Sequence, residues 1–207
     1  AETKQAMSSI LQVGGNYEYE YLNPSFSKSQ ISEYLLSFNW NNPWDSGAQF
    51  ANTAFFISTS NEETQNQRLY LYDYISSLAS NVDGTYGIGK YRNSNELING
   101  SMKVLTGLDW LNQEIHYPDR LIDSSLKIDP SREGCDLVDV VYVLYKFLLL
   151  TDYRKKEVLT YLKLILKTIQ KHYFENGGFS YFKESCQTHY YGVKIAKKTN
   201  SPDIHGT

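Results

Sequence analysis

The sequence predicts an all-α protein built from repeated antiparallel helix pairs. Three observations lead there. Apolar residues recur at three- and four-residue spacing through most of the 207-residue chain. An acid followed by an aliphatic residue opens alternate helices. A Gly-aromatic turn then closes each pair about 40 residues after it opens.

The elements follow in order. Glu2 to Val13 is a helix ended by Gly14-Gly15, since glycine readily takes the left-handed conformation that stops a helix. Lys28 to Phe38 places Ile31, Tyr34, Leu35 and Phe38 on one stripe. Asp45-Ser46 reads as the N-cap of a helix running through Phe50, Ala54, Phe55 and Ile57. Glu62 to Ala79 turns Leu71, Tyr74, Ile75 and Leu78 inward, and Asp83-Gly84-Thr85-Tyr86-Gly87 makes a turn. Glu96 to Leu111 carries Leu97, Met102, Leu105 and Leu108. Pro118 to Ile128 is a short helix with proline in its first turn. Asp136 to Leu150 is apolar nearly all round and longer than a normal strand, which marks a buried helix. Glu157 to His172 is amphipathic through Val158, Leu162, Ile165 and Ile169. Asn176-Gly177-Gly178-Phe179-Ser180-Tyr181 closes it.

A helix pair cannot bury its own apolar faces, so successive pairs must stack. Helices that are apolar all round would form an inner ring, and amphipathic ones would cover it. Glu96-Leu97-Ile98-Asn99, Asp136-Leu137-Val138-Asp139 and Asp203-Ile204-His205-Gly206 share the opening signal. The last stands close to Thr207, so the pattern predicts one helical domain over 1–207, an incomplete ring that would continue beyond it.

Composition narrows the function classes. A net charge of −3 and short, separated basic runs (Arg154-Lys155-Lys156, Lys197-Lys198) give no reason to expect nucleic acid. Two cysteines, Cys135 and Cys186, are too few for a disulfide framework, and two buried free thiols in a reducing compartment are expected. The longest apolar stretch, Val140 to Leu150, is interrupted by Lys146 and too short to span a bilayer. Ala1-Glu2-Thr3-Lys4 offers no cleavable apolar segment, so a cytoplasmic location is expected. Eighteen tyrosines would suit a ring-lined cavity, and a compositional bias would account for them equally well.

With these residues in view, residues 40 to 207 resemble the α/α-toroid superfamily of terpenoid cyclases and protein prenyltransferases. Tyr74-Ile75-x-x-Leu78 leading to Asp83-Gly84-Thr85-Tyr86-Gly87 looks like a divergent Gln…Gly-x-Trp repeat, and Ile169-Gln170 leading to Gly177-Gly178-Phe179 like a second copy. Leu137-Val138-Asp139 with Tyr142 is similar to the prenyltransferase β-subunit segment that supplies Asp and Cys to zinc. Asp203-Ile204-His205-Gly206-Thr207 is similar to the segment that supplies the zinc histidine. Val141 stands where that family has its cysteine and His205 sits one place early, so no metal is expected. The Asp-x-Asp-Asp acid of class II cyclases and the Cys-Gly-Glu-Gln thioester of complement relatives are both absent.

Inner-helix starts would gather at one mouth of such a toroid. The candidate catalytic residues are therefore Asp45, Glu96, Asp136, Asp139, Asp203 and His205, with Asn99 beside them. Carboxylates there could serve as general acid and base; the same acids could simply favour the positive ends of helix dipoles. Trp44, Tyr86, Tyr142 and Tyr181 are the candidate substrate-binding aromatics, with Phe179, Tyr190 and Tyr191 near them. No cofactor is expected, because no nucleotide-cradling loop follows a strand and no Gly-x-Ser-x-Gly elbow occurs. The resemblance implies an enzyme acting on an apolar or isoprenoid substrate in a central cavity. A carbohydrate-active toroid with paired acids and a non-catalytic binding module are the alternatives.

Overall fold

A computed structural model describes residues 2–16, 27–60, 64–88, 93–174, 178–190 and 193–202. Those residues are mostly helical, with one short antiparallel strand pair among them: α1 (Glu2–Gln12), α2 (Lys28–Leu36), α3 (Pro43–Ser58), α4 (Gln65–Ser76), α5 (Ser94–Leu111), α6 (Pro118–Ser125), α7 (Cys135–Leu148), α8 (Lys155–Gln170), β1 (His189–Tyr190) and β2 (Val193–Lys194). The chain divides into two compact units, Ala1–Ser124 and Ser125–Thr207.

In the first unit α3 and α5 form the core, and small residues decide how. A Cβ on Gly100 would stand 2.7 Å from the carbonyl carbon, oxygen and Cβ of Pro43, and one on Gly47 would stand 2.6 Å from the Gly100 carbonyl oxygen. Further along, a Cβ on Gly107 would meet the Phe50 ring at 2.7 Å. Still further, the Phe55 and Trp110 rings meet edge-on with centroids 4.7 Å apart. The contacts climb both helices together, so α3 and α5 run in the same direction with their backbones touching. Phe50, Ala54, Phe55, Val104, Leu105 and Leu108 are completely buried along this seam. At roughly 25 cal/mol per Å² of apolar area removed from water, seams of this kind dominate folding.

α4 lies outside that pair and buries only Leu71 and Ile75. It is held to the end of α2 by a relay. Trp40 Nε1 donates to the Tyr74 hydroxyl at 2.6 Å, which donates to the Leu35 carbonyl at 3.0 Å. The turn after α4 closes through Ser80 N–H to Thr85 O at 2.9 Å and Gly87 N–H to Leu78 O at 3.2 Å. Gly84 has φ +75°, and a Cβ there would lie 2.3 Å from the Leu121 nitrogen, so α6 can sit directly on the turn. Ser124 Oγ then donates to Asp83 O at 2.8 Å.

The second unit repeats the turn hydrogen bonds. Phe174 N–H reaches Gly178 O at 3.1 Å and Ser180 N–H reaches His172 O at 2.8 Å, and each turn carries one isolated antiparallel bridge, Ala79 with Tyr86 and Tyr173 with Phe179. The aromatic residues are used differently: Tyr86 is 0% exposed and Phe179 is 39% exposed. The segment before α7 is fastened to α8 by Tyr161, whose hydroxyl donates to Ile128 O at 2.8 Å, and by Thr168, which donates to Pro130 O at 2.8 Å.

Several sequence expectations change. Asp45 is not the cap of α3: the Asn42 side chain accepts from Asp45 N–H, and proline occupies the first turn. Asn93, not Glu96, caps α5. α7 starts at Cys135 behind Gly134, whose φ of +59° and bare backbone admit the Tyr181 ring where a Cβ would lie. α7 is also not buried all round, since Val138 and Tyr145 are mostly exposed. Both cysteines are free, but Cys135 is exposed and only Cys186 is buried. The starts of the predicted Glu62 helix and of the Asn176-Gly177 turn lie outside the described residues.

Gly100→Ala tests the backbone contact. Alanine gains about 1 kcal/mol of helix propensity over glycine. Forcing its methyl against the Pro43 backbone should cost more, about 1–3 kcal/mol. A lower urea midpoint is expected; an unchanged or higher one would show that the helices part freely.

Candidate functional site

The sequence-predicted residues fall into two groups. Trp44, Asp45, Tyr86, Glu96 and Asn99 belong to the first unit, and Asp136, Asp139, Tyr142 and Tyr181 to the second. Asp203, His205 and Tyr191 lie outside the described residues, so the Asp139–His205 comparison with a zinc segment has no geometry to rest on.

In the second unit Asp136, in the first turn of α7, faces Arg132 of the preceding segment at 3.7 Å, a partly exposed ion pair. Asp139 is 2% exposed on the inner side of α7, while Tyr142 is half-buried one turn later. Tyr181 is a latch. Its hydroxyl accepts from Cys135 N–H at 3.2 Å, one of the four free donors at the start of α7. Burial first, then the neighbouring Cys135, pushes its phenol up to about 12, so it stays a neutral hydroxyl. Tyr190 is exposed in the hairpin.

In the first unit the parallel packing brings the start of α3 beside the middle of α5. Asp45 is exposed and hydrogen-bonded to the Asn42 amide. Glu96 lies half-buried in the first turn of α5 and Asn99 is buried one turn on. Lys103 extends its ammonium over the Trp44 ring, 5.5 Å from the centroid. Lys4 of α1 is half-buried, and burial, then repulsion from Lys103, hold its amine below the usual lysine range. Periodicity could not have found this cluster, because it draws on three helices far apart in sequence.

A second polar cluster centres on His116, which sequence reading missed. Tyr72 stacks on its imidazole with centroids 5.0 Å apart, and Tyr86 meets it edge-on at 5.8 Å. Ser76 Oγ lies 2.7 Å from Nε2 and 2.6 Å from the Tyr72 carbonyl, while the Tyr86 hydroxyl lies 3.2 Å from Nδ1. One proton arrangement satisfies every group. Tyr86 donates to Nδ1, Nε2–H donates to Ser76, and Ser76 donates to the Tyr72 carbonyl. His116 N–H supplies a further bond to the Tyr86 oxygen at 3.3 Å. The serine proton is therefore spent on backbone, and the cluster acts as a clamp between α4, the Gly-Tyr turn and the loop after α5. It explains why Tyr86, expected to line a cavity, is instead wholly buried.

Among the described residues no group of three or more His, Cys, Asp or Glu side chains could hold a metal ion, and no helix is long and apolar enough to cross a membrane. Comparison with protein-family models, curated proteins and solved structures finds no match.

Burial holds the His116 imidazole below its ordinary value of 6.5. The unfolded chain therefore takes up the proton first as pH falls, and the folded state loses the stability that neutral His116 supplies. That contribution is complete above about pH 7.5 and declines as pH drops through about 6.5. Urea midpoints measured from pH 8 to 5 should fall, and fall less steeply in His116→Asn. Tyr86→Phe should lose about 1–2 kcal/mol at pH 8, because it removes the hydroxyl from two hydrogen bonds.

Proposed function

We propose that this chain is a helical-repeat binding protein whose site lies where the start of α3 meets α5. The observation that carries this reading is the glycine contact of Pro43 with Gly100, which holds Trp44, Glu96, Asn99 and Lys103 in fixed relation. Rigid elements presenting an aromatic face and convergent polar groups are what small-molecule sites are made of. Among the predicted catalytic acids, Asp45 and Asp136 are engaged with Asn42 and Arg132, which supports binding over acid–base chemistry. The two matching turns and the parallel α3 and α5 support an inner–outer helix repeat of the α/α-toroid kind.

One observation favours a second reading, an α/α-toroid enzyme: Asp139 is a carboxylate buried on α7. In that reading the substrate is apolar, and Asp139→Asn removes turnover while leaving the melting temperature unchanged. A large stability loss with no activity in the parent would sink it.

Amide and indole chemical shifts of the full chain, followed during titration with mixtures of small metabolites, test the first reading. Perturbations should gather on residues 43–47 and 96–103. Shifts confined to the second unit, or none with any class of ligand, would overturn it.

A further inference from the structure

Charge is unevenly shared between the two units. Residues 1–124 hold 7 lysines and arginines against 14 acids, whereas residues 125–207 hold 13 against 9. Asymmetry of that kind points to an anionic partner for the basic part. Within the second unit the excess gathers on α8. Lys156, Lys163 and Lys167 are all exposed, and Lys171 continues their line just past the helix. At 3.6 residues per turn the four fall within about 80° of one another around the axis and span roughly 22 Å along it. Val158, Tyr161, Ile165 and Thr168 bury the opposite face, so the lysines point outward.

Helix chemistry does not account for this stripe. Among the described residues Lys156, Lys163 and Lys167 are in no ion pair, while the neighbouring Arg154 and Lys155 are bonded to Glu157 and Asp152. Lys156 stands in the first turn of α8, where the helix dipole disfavours a cation. Lys163 and Lys167 are like charges one turn apart, which weakens a helix. Apolar residues flank the lysines. Leu159 and Leu166 are 44% and 55% exposed on one side of the stripe, and Leu164 is 46% exposed on the other. Beside the first turns an open groove of about 390 Å³ is lined by Leu126, Tyr161 and Leu164 together with Lys156 and Thr160. The Tyr161 hydroxyl is committed to Ile128 O, so its ring is what remains for the groove.

We propose that the outer face of α8 docks on the anionic surface of a phospholipid membrane. Lysine stems carry their ammonium groups to the headgroup phosphates, and the flanking leucines lie against the glycerol and upper methylenes. The groove receives the glycerol end of one lipid, whose phosphate meets Lys156. This mode needs no helix that crosses the bilayer. Nucleic acid would satisfy the lysines and leave the leucines in water. It would also find no exposed aromatic ring on α8 for a base to stack on, and the arginine at the start of the helix is already bonded to Glu157.

The test sediments the full chain with vesicles of phosphatidylcholine alone, or with about 30% phosphatidylserine added. Binding should require the serine lipid and fall away as salt rises from about 0.05 to about 0.5 M. Lys163→Gln combined with Lys167→Gln keeps helix propensity and the melting temperature. It should weaken binding about 25-fold, or about fivefold for each lysine. Lys156→Gln alone, about fivefold weaker, serves if the double variant misfolds. Lys197→Gln with Lys198→Gln removes the same charge from exposed positions outside α8 and should change affinity less than about twofold. Leu166→Trp, read as a difference from the parent, should shift its emission to the blue on serine-lipid vesicles only. Equal binding to both vesicle types or to neither, an unmoved affinity in the α8 variants, an equal loss in the control pair, or no blue shift would overturn the inference. So would binding to polyglutamate or duplex RNA without binding to vesicles.

Discussion

The backbone contact between α3 and α5 is the constraint from which the first unit follows. Two helices normally keep their axes 8–10 Å apart because side chains intervene. Where Pro43 meets Gly100 and Gly47 meets the Gly100 carbonyl, backbone lies against backbone with only the Pro43 and Lys103 Cβ atoms beside it. Close approach then sets what can lie on either side of the seam. Phe50 fills the space over Gly107, Phe55 fits against Trp110, and Lys103 is pressed up toward Trp44. Three glycines and a proline thus fix a core and, at its edge, a charged aromatic cluster. Interiors packed to crystal-like density transmit such constraints because nothing in them can yield cheaply.

The two Gly-aromatic turns show one backbone solution serving different ends. Each closes with the same pair of hydrogen bonds and one bridge. In the first, the ring enters the core and its hydroxyl is shared with His116. In the second, the ring rests at the surface against Tyr173, with centroids 5.4 Å apart, and the next tyrosine does the fastening. Backbone pairing is set by glycine and chain geometry, whereas the side chain's use is set by whatever packs on the turn. α6 covers Gly84, whereas Phe179 stays partly exposed.

The sequence made the helices legible, and for a plain reason. Residues such as Ile31 and Leu35, or Leu105 and Leu108, recur at helical spacing and are buried, so periodicity and burial report the same thing. Helix starts were less legible. Asp45 reads as a cap and Glu96 as a helix start, but asparagines at 42 and 93 cap those helices, since an amide oxygen reaches the free N–H groups just as a carboxylate does. The apolar run of α7 promised burial on every side, and pattern alone cannot tell a covered face from a bare one. The site was least legible of all. Trp44 was found for its aromatic ring, but Lys4, Lys103 and His116 take their character from neighbours on other helices. No local signal reports that.

The Tyr181 latch has a kinetic side. Its hydroxyl and the Cys135 N–H are 46 residues apart in the chain, with both long helices of the second unit between them. Closing that loop costs entropy that grows with its length, while α7 and α8 can form from contacts much nearer in sequence. The unit therefore assembles from its helices outward, and the latch closes late. A bond made that late contributes little to the folding rate and much to slowing the reverse step. Gly134, by leaving room for the ring, governs how long this unit stays folded more than how fast it gets there.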